Sequence, residues 1–432
     1  MPALVAAPIL QTIDRWAGVP VCLLLSLANK VRNLVFPPAP APEIPRKVLF
    51  VKFAEQGSTV LAQSAIRRAV TLVGKENVYF VVFEENRFIL DVLGLIPEEN
   101  VIIIRRDTIS TLVQGALAAL RKIRELNIDT AIDMEFFSRS SAALTWMTQA
   151  PRRIGFHTFF GEGPYRGDLM THRLLYNPYQ HTSQIFEQMV LAAWQNPEEL
   201  PTWGAKAPAL VSEPPLLVPK PGEIEQMKTI LRQACGGTVP KSIILLNPNA
   251  SDLLPLRKWA TERYIALAQR LLERFPEAHI ALTGAPNEAG PASEVNRAIG
   301  SPRCVSLAGR TSLRQLMVLY TLSDLLITND SGPAHFASLT PVNVLTLFGP
   351  ETPSLFGAPT PRSTALWLGL ACSPCVNAYN NRQSPCRNNL CMQGITVEQV
   401  FDEAVRILEE RKANQETANL ELRNSGVEEQ LS

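Results

Sequence analysis

The stretch Leu326-Ile327-Thr328-Asn329-Asp330-Ser331-Gly332-Pro333-Ala334-His335 decides how this chain folds. An apolar run gives way to Asp-Ser-Gly, then to Pro and an Ala-rich segment, the pattern of a buried strand, a tight turn and a helix start. Backbone N–H groups at such a junction bind anions, so Ser331 and Gly332 are expected to hold a phosphate, with Asp330 and His335 beside it. A second apolar run, Val342 to Phe348, ends in Gly349-Pro350-Glu351-Thr352 and repeats the device, which adds Gly349 and Thr352 to the candidate set. Two buried strands that each lead into a helix run parallel, and their turns open on the edge of the sheet where α/β proteins bind ligands.

The same alternation extends towards both termini. Lys47–Phe53, Asn77–Phe83, Asn100–Ile104 and Thr130–Asp133 read as strands, and Val60–Val73, Ile109–Arg124 and Ser140–Met147 as helices. The Pro-rich, aperiodic residues 197–222 interrupt the pattern, which restarts with Ser242–Asn247, Thr261–Phe275, His279–Thr283, Ser312–Leu322 and Asp324–Thr328. Two α/β halves on one chain of 432 residues imply two domains facing a cleft. The expected organisation is an apolar segment and Pro-rich hinge over 1–45, an N-terminal domain over 46–196 and a linker over 197–240. A second domain over 241–395, a helix over 396–412 and a disordered polar tail over 413–432 complete it.

A formal net charge of +1 offers no field for nucleic acid, and 46% hydrophobic with 19% charged residues is ordinary for a globular protein. The N-terminus departs from that average. Ile9 to Val35 is rich in Leu and Val, but its uncharged part, Ala17 to Asn29, falls short of the ~20 residues of a spanning helix. Two readings stand: a segment lying in a membrane interface with Arg15, Lys30 and Arg32 at anionic headgroups, or a helix packed on the protein's own surface. Of seven cysteines, Cys372, Cys375, Cys386 and Cys391 are close in sequence. Their spacing suits a zinc knuckle, a disulfide or a plain loop, and no other metal site is expected.

Neither a dinucleotide fingerprint nor a Walker A motif comes after the first strand. That position carries Ala54-Glu55-Gln56-Gly57-Ser58-Thr59, where Gly57 and Ser58 can cap a helix or meet a ligand, and Glu55 is the carboxylate available as a general base. After the first strand of the second half come Asn247-Pro248-Asn249-Ala250-Ser251 and Arg257-Lys258-Trp259. Asn249 and Ser251 offer hydrogen bonds there, and Arg257 and Lys258 offer charge for a diphosphate. Asp133 and Glu135 end the fourth strand and can meet substrate hydroxyls or cap structure. Arg152 and Arg153 suit an acidic acceptor, or form an exposed turn.

Together these residues resemble glycosyltransferase family 9, the heptosyltransferases, over roughly residues 46–411. Asp330-Ser331-Gly332-Pro333-Ala334-His335 is similar to the family's Asp-Thr/Ser-Gly-x-x-His donor motif, and Phe348-Gly349-Pro350-Glu351-Thr352 to its Gly-Pro-Thr segment. Asn247–Ser251 with Arg257–Trp259 is similar to its phosphate loop, and Glu288 stands at its ribose-binding acidic position. The resemblance implies a GT-B architecture of two Rossmann-like domains and an inverting transfer without metal or other cofactor. The sugar would move from a nucleotide diphosphate, typically ADP-heptose, to a lipopolysaccharide-core acceptor at the cytoplasmic face of a membrane. Ser58 stands where the family usually has its catalytic Asp, so Glu55 is expected to take the role of base, with Ser58, Asp330 and His335 supporting catalysis. A sugar-nucleotide epimerase of the same architecture and a non-catalytic nucleotide-sugar or glycolipid binder are the competing readings.

Overall fold

A computed structural model of the chain describes residues 7–36, 43–201, 209, 213–250 and 254–424. The chain divides into two compact units. In the first, β1 (Val48–Val51), β2 (Val78–Phe83), β3 (Val101–Ile104), β4 (Thr130–Asp133), β5 (Arg152–Phe156) and β6 (His172–Leu174) form one sheet in the order β3-β2-β1-β4-β5-β6. Every neighbouring pair is parallel, with Val51 opposite Asp133 where β1 meets β4. β1 is buried at every position, as a central strand covered on both faces must be. Helices Gln63–Val73 and Thr182–Ala192 bury one face around Phe50, Phe80 and Ile132. Helices Ile109–Glu125 and Arg139–Met147 cover the other, around Val51, Val81 and Ile104.

The second unit repeats this plan. β7 (Ser242–Asn247), β8 (Ala278–Leu282), β9 (Cys304–Ser306), β10 (Leu325–Asn329), β11 (Asn343–Phe348) and β12 (Ser363–Trp367) pair in parallel in the order β9-β8-β7-β10-β11-β12. In both sheets the strand order reverses beside the first strand, between β1 and β4 and between β7 and β10. Such a switch point opens a crevice at the carboxyl ends of the strands. The α/β, two-domain reading therefore holds, and the deciding stretch is β10 followed by helix Gly332–Ala337.

Several expectations are corrected. Arg152–Phe156 is a strand and not an exposed turn, because β-branched Ile154 and the aromatic Phe156 sit on the pleat with both faces covered. The stretch 197–240 is not linker throughout: Glu223–Ala234 is a helix that buries Met227 and Leu231 and packs on helix Leu313–Thr321. The last helix continues from Val397 to Asn424, past the end expected at Arg411, since its Glu, Gln, Ala and Leu residues are helix formers without a breaker. Segments Ser354–Phe356 and Cys375–Pro385, expected in the second domain, belong to the first unit. Aromatic packing holds the second of them there: Tyr379 meets Phe137 and Tyr176, and its hydroxyl donates to the Tyr176 carbonyl.

Candidate active site

At the carboxyl end of β1 the chain turns sharply. Glu55 has φ 66° and ψ 76°, a left-handed conformation that costs a non-glycine residue energy, and helix Gln56–Leu61 starts directly after it. The strain therefore falls on Glu55, and Gly57 lies within the helix. The turn brings Glu55 and Ser58 together: the buried Ser58 hydroxyl lies 3.0 Å from the Glu55 carbonyl and 3.2 Å from Glu55 Oε2. The other carboxylate oxygen accepts from the Arg382 guanidinium, whose central carbon also lies 5.8 Å from the Phe136 ring centre and 5.1 Å from that of Phe356.

The carboxylates that end β4 serve this turn from below. Glu135 Oε1 accepts from the N–H groups of Phe53 at 2.7 Å and Ala54 at 3.1 Å, so it holds the backbone that leads into Glu55. The Lys52 ammonium is fully buried 4.0 Å from Glu135 Oε2 and 5.9 Å from the Phe186 ring centre, and makes no hydrogen bond. Asp133 is fully buried. It accepts from Arg166, from the Ser141 hydroxyl at 2.9 Å and from the Glu135 N–H at 3.0 Å. Burial pushes its carboxyl up to about 6, an effect that Arg166 opposes. Both Asp133 oxygens are bonded inside the unit, which is the structural one of the two roles expected of it. Arg152 opens β5 opposite Thr130, at the amino end of the strands and away from Glu55, and donates to the Glu43 carbonyl. In a parallel sheet, residues at strand starts cannot join residues at strand ends.

In the second unit the loop after β7 and the turn after β10 are joined by Asn329. Its amide donates to the Asn249 carbonyl at 3.0 Å, and its Oδ1 accepts from the Trp259 N–H at 3.1 Å and the Tyr264 hydroxyl at 3.2 Å. Asn249 donates to the Thr283 carbonyl, and both its side chain and that of Glu288 lie against Gly284, where a Cβ would lie 2.8 Å from Asn249 and 2.9 Å from Glu288. Asn249 and Glu288 thus both border Gly284. Lys258 is exposed, and with Pro248, Asn249 and Glu294 lines a cavity of about 350 Å³. Asn389 anchors this loop by donating to the carbonyls of Leu256 and Lys258. Ser251 lies outside the described residues.

Arg257, expected to face a diphosphate, is gripped by two buried carboxylates. It donates to Glu351 and lies 3.5 Å from Asp330 Oδ2. The Ser331 hydroxyl donates to the Asn329 carbonyl, and Thr352 and His335 are buried. Gly349 has a packing reason: a Cβ there would collide with Met392 and sit 3.2 Å from Cys391 Sγ. Sequence reasoning missed Arg382, Glu351, Asn329 and Asn389 as site residues. Asn329 had a signal, a polar residue at the buried end of an apolar strand, whereas Arg382 had none. Among the described residues no group of three or more His, Cys, Asp or Glu is gathered to hold a metal, and none of the four clustered cysteines is in a disulfide, as in the plain-loop reading of that segment. Cys375 instead accepts from the Ser384 hydroxyl.

Two doubly wound units, each with polar turns at its switch point, define an α/β ligand-binding type of fold. The sequence model of glycosyltransferase family 9 (heptosyltransferase) matches residues 116–384, more than half of the chain, and the chain belongs to that family. Lipooligosaccharide heptosyltransferase 2 of Campylobacter jejuni is 28% identical over 174 residues, 39% of this chain and 51% of that protein. The chain spans about half the length of the curated relatives it matches. The structure of the E. coli ADP-heptose lps heptosyltransferase II superposes with a TM-score of 0.64 at 18% identity, covering 85% of this chain and 99% of that one. That of E. coli heptosyltransferase WaaC with ADP gives 0.57 at 16% identity, covering 84% and 99%.

Proposed function

We propose that this chain is an inverting glycosyltransferase that moves heptose from ADP-heptose to a lipopolysaccharide-core-like glycolipid at the cytoplasmic face of a membrane. Family membership supports sugar transfer, and the WaaC structures with ADP and with ADP-2-deoxy-2-fluoro heptose support the donor. The N-terminal unit binds the acceptor, and the C-terminal unit binds the nucleotide sugar. Glu55 takes the proton of an acceptor hydroxyl. The oxygen then forms a bond to the anomeric carbon from the face opposite the leaving group, and the bond from that carbon to the diphosphate oxygen breaks with its electron pair.

Lys258 and the N–H groups of Ser331 and Gly332 meet the charge that develops on the diphosphate, so no metal is needed for this step. Asn249 and Glu288 hold the nucleoside, and His335 and Asp330 support the sugar-facing turn. Arg257 reaches the diphosphate only by exchanging Glu351 for a phosphate oxygen.

The observation that carries the reading is the position of the Glu55 carboxylate. It lies beside the hydroxyl of Ser58, the residue at which the family usually has its catalytic Asp, and the strained backbone of Glu55 is what delivers it there. Glu55→Gln should lower kcat by ~10²–10⁴-fold, the usual worth of a general base, while ADP still raises the melting temperature as in the parent protein. Unchanged turnover in Glu55→Gln would assign the base elsewhere.

A further inference from the structure

The two N-terminal helices have their polarity reversed for a surface that faces water. In helix Gly18–Val35 the side turned to the protein is small and polar: Gly18, Cys22, Ser26 and Asn29. Gly18 admits the Arg139 side chain, where a Cβ would lie 2.7 Å from Arg139 Cδ. Cys22 is fully buried with Ala142, Leu169 and Met170. Ser26 Oγ accepts from the Asp168 N–H at 2.7 Å, and Asn29 donates to the Asp168 carbonyl and accepts from the Trp146 indole N–H at 2.8 Å. In the preceding helix, Ala7–Trp16, Asp14 accepts from the N–H groups of Arg139 and Ser140 and so caps helix Arg139–Met147.

The side turned outwards is apolar. Trp16, Leu23, Leu24, Leu27 and Leu34 are more than half exposed, Leu34 at 85%. Helix Ile109–Glu125, on the same side of the sheet, exposes Ile109, Val113 and Leu117 in one stripe. Apolar surface of this extent on the two packed N-terminal helices marks a binding face and not the scattered leucines of an ordinary surface. Its charge is of one sign: Arg15, Lys30 and Arg32 are exposed among the apolar side chains, and Asp14, the acidic residue in residues 7–36, is turned inwards.

We infer that the outer face of helices Ala7–Trp16 and Gly18–Val35 is a docking surface for an anionic lipid bilayer. Its leucines enter the boundary between headgroups and acyl chains, and Arg15, Lys30 and Arg32 meet lipid phosphates. By length and composition alone Gly18–Val35 could cross a membrane. Spanning would strip Ser26 and Asn29 of the bonds that tie the helix lengthwise to the protein, so the helix lies in the interface. A second copy is a poorer occupant, because a two-fold contact sets identical surfaces against each other, and among the described residues of these two helices no acidic side chain faces out to meet the cations. The inference deepens the proposed function by giving a lipid-borne acceptor a surface that brings the enzyme to it. It rests on that reading only for its biological use.

The test is flotation of the full chain with phosphatidylglycerol/phosphatidylethanolamine vesicles and with phosphatidylcholine vesicles. The parent protein should float with the anionic vesicles. Leu24→Ser/Leu27→Ser/Leu34→Ser, which alters exposed side chains alone, should lower partitioning at least ~100-fold with an unchanged circular dichroism spectrum and urea midpoint. Lys30→Gln/Arg32→Gln should lose roughly 25-fold on anionic vesicles and little on phosphatidylcholine. Failure of the parent protein to float, or equal flotation of the triple variant, overturns the inference. A lipid-free dimer in sedimentation velocity that the triple variant dissolves, without flotation, overturns it in favour of a second copy. Flotation without sugar transfer leaves the docking surface standing and refutes the reaction alone.

Discussion

Asn329→Ala isolates the joint that holds the two turns of the C-terminal unit together. The Asn329 side chain makes three hydrogen bonds, to the Asn249 carbonyl, the Trp259 N–H and the Tyr264 hydroxyl, and Asn329, Trp259 and Tyr264 are all fully buried. A hydrogen bond contributes ~1 kcal/mol net, so losing three costs ~3 kcal/mol, and the buried groups left behind pay further desolvation. At ~1.4 kcal/mol per factor of ten, the unfolding equilibrium of this unit should shift about 100-fold or more. Urea titration followed by tryptophan fluorescence measures it, with the slope compared between variants so that a change of midpoint reports stability. Tyr264→Phe alone removes one of the three bonds, and in the Asn329→Ala background it should cost at least ~0.5 kcal/mol less, because its partner has already gone. Because Asn329 ties the loop after β7 to the turn after β10, the same variant should also lose most of its stabilisation by ADP. A loss below ~1 kcal/mol, or full additivity of the two substitutions, would refute the joint.

Gly349→Ala should destabilise the protein by ~1–3 kcal/mol, because its Cβ collides with Met392 beneath β11; an unchanged urea midpoint would mean that the helix Leu390–Gln393 yields without cost. Burial of His172 pushes its imidazole down to about 4 from 6.5, so the folded state stays neutral where the unfolded chain takes a proton. Its contribution is present above pH 6.5 and is lost as pH falls towards 4, up to ~3 kcal/mol for a shift of this size. The stability difference between the parent protein and His172→Gln should therefore shrink across that window, and parallel pH curves would exclude it.

Much of the candidate site was legible because it lies where apolar strands meet polar turns, and both signals are local. Asn249, Glu288, Ser331 and Gly332 stand on such turns, and the sheet then places them on one edge. Glu55 was legible for the same reason, though its left-handed backbone was not: a glycine stands two residues later, where the strain would have been cheaper. Asp133 shows the limit. A carboxylate at a strand end reads the same whether it faces solvent or interior, and it is Arg166, 33 residues on, that turns it into a buried ion pair.

The alternation of strands and helices, their parallel pairing and the family are all readable from the chain before it folds, since periodicity and turn chemistry are properties of neighbouring residues. Which charges meet is settled only by the folded packing. Arg382 reaches Glu55 across 327 residues, and Glu351 closes on Arg257 across 94. Packing likewise settles which side of the N-terminal helices faces out, because a helix with polar residues on one side and leucines on the other does not say which side the protein will cover. Ser26 and Asn29 find bonded partners on the body of the unit, and that leaves the leucines outside.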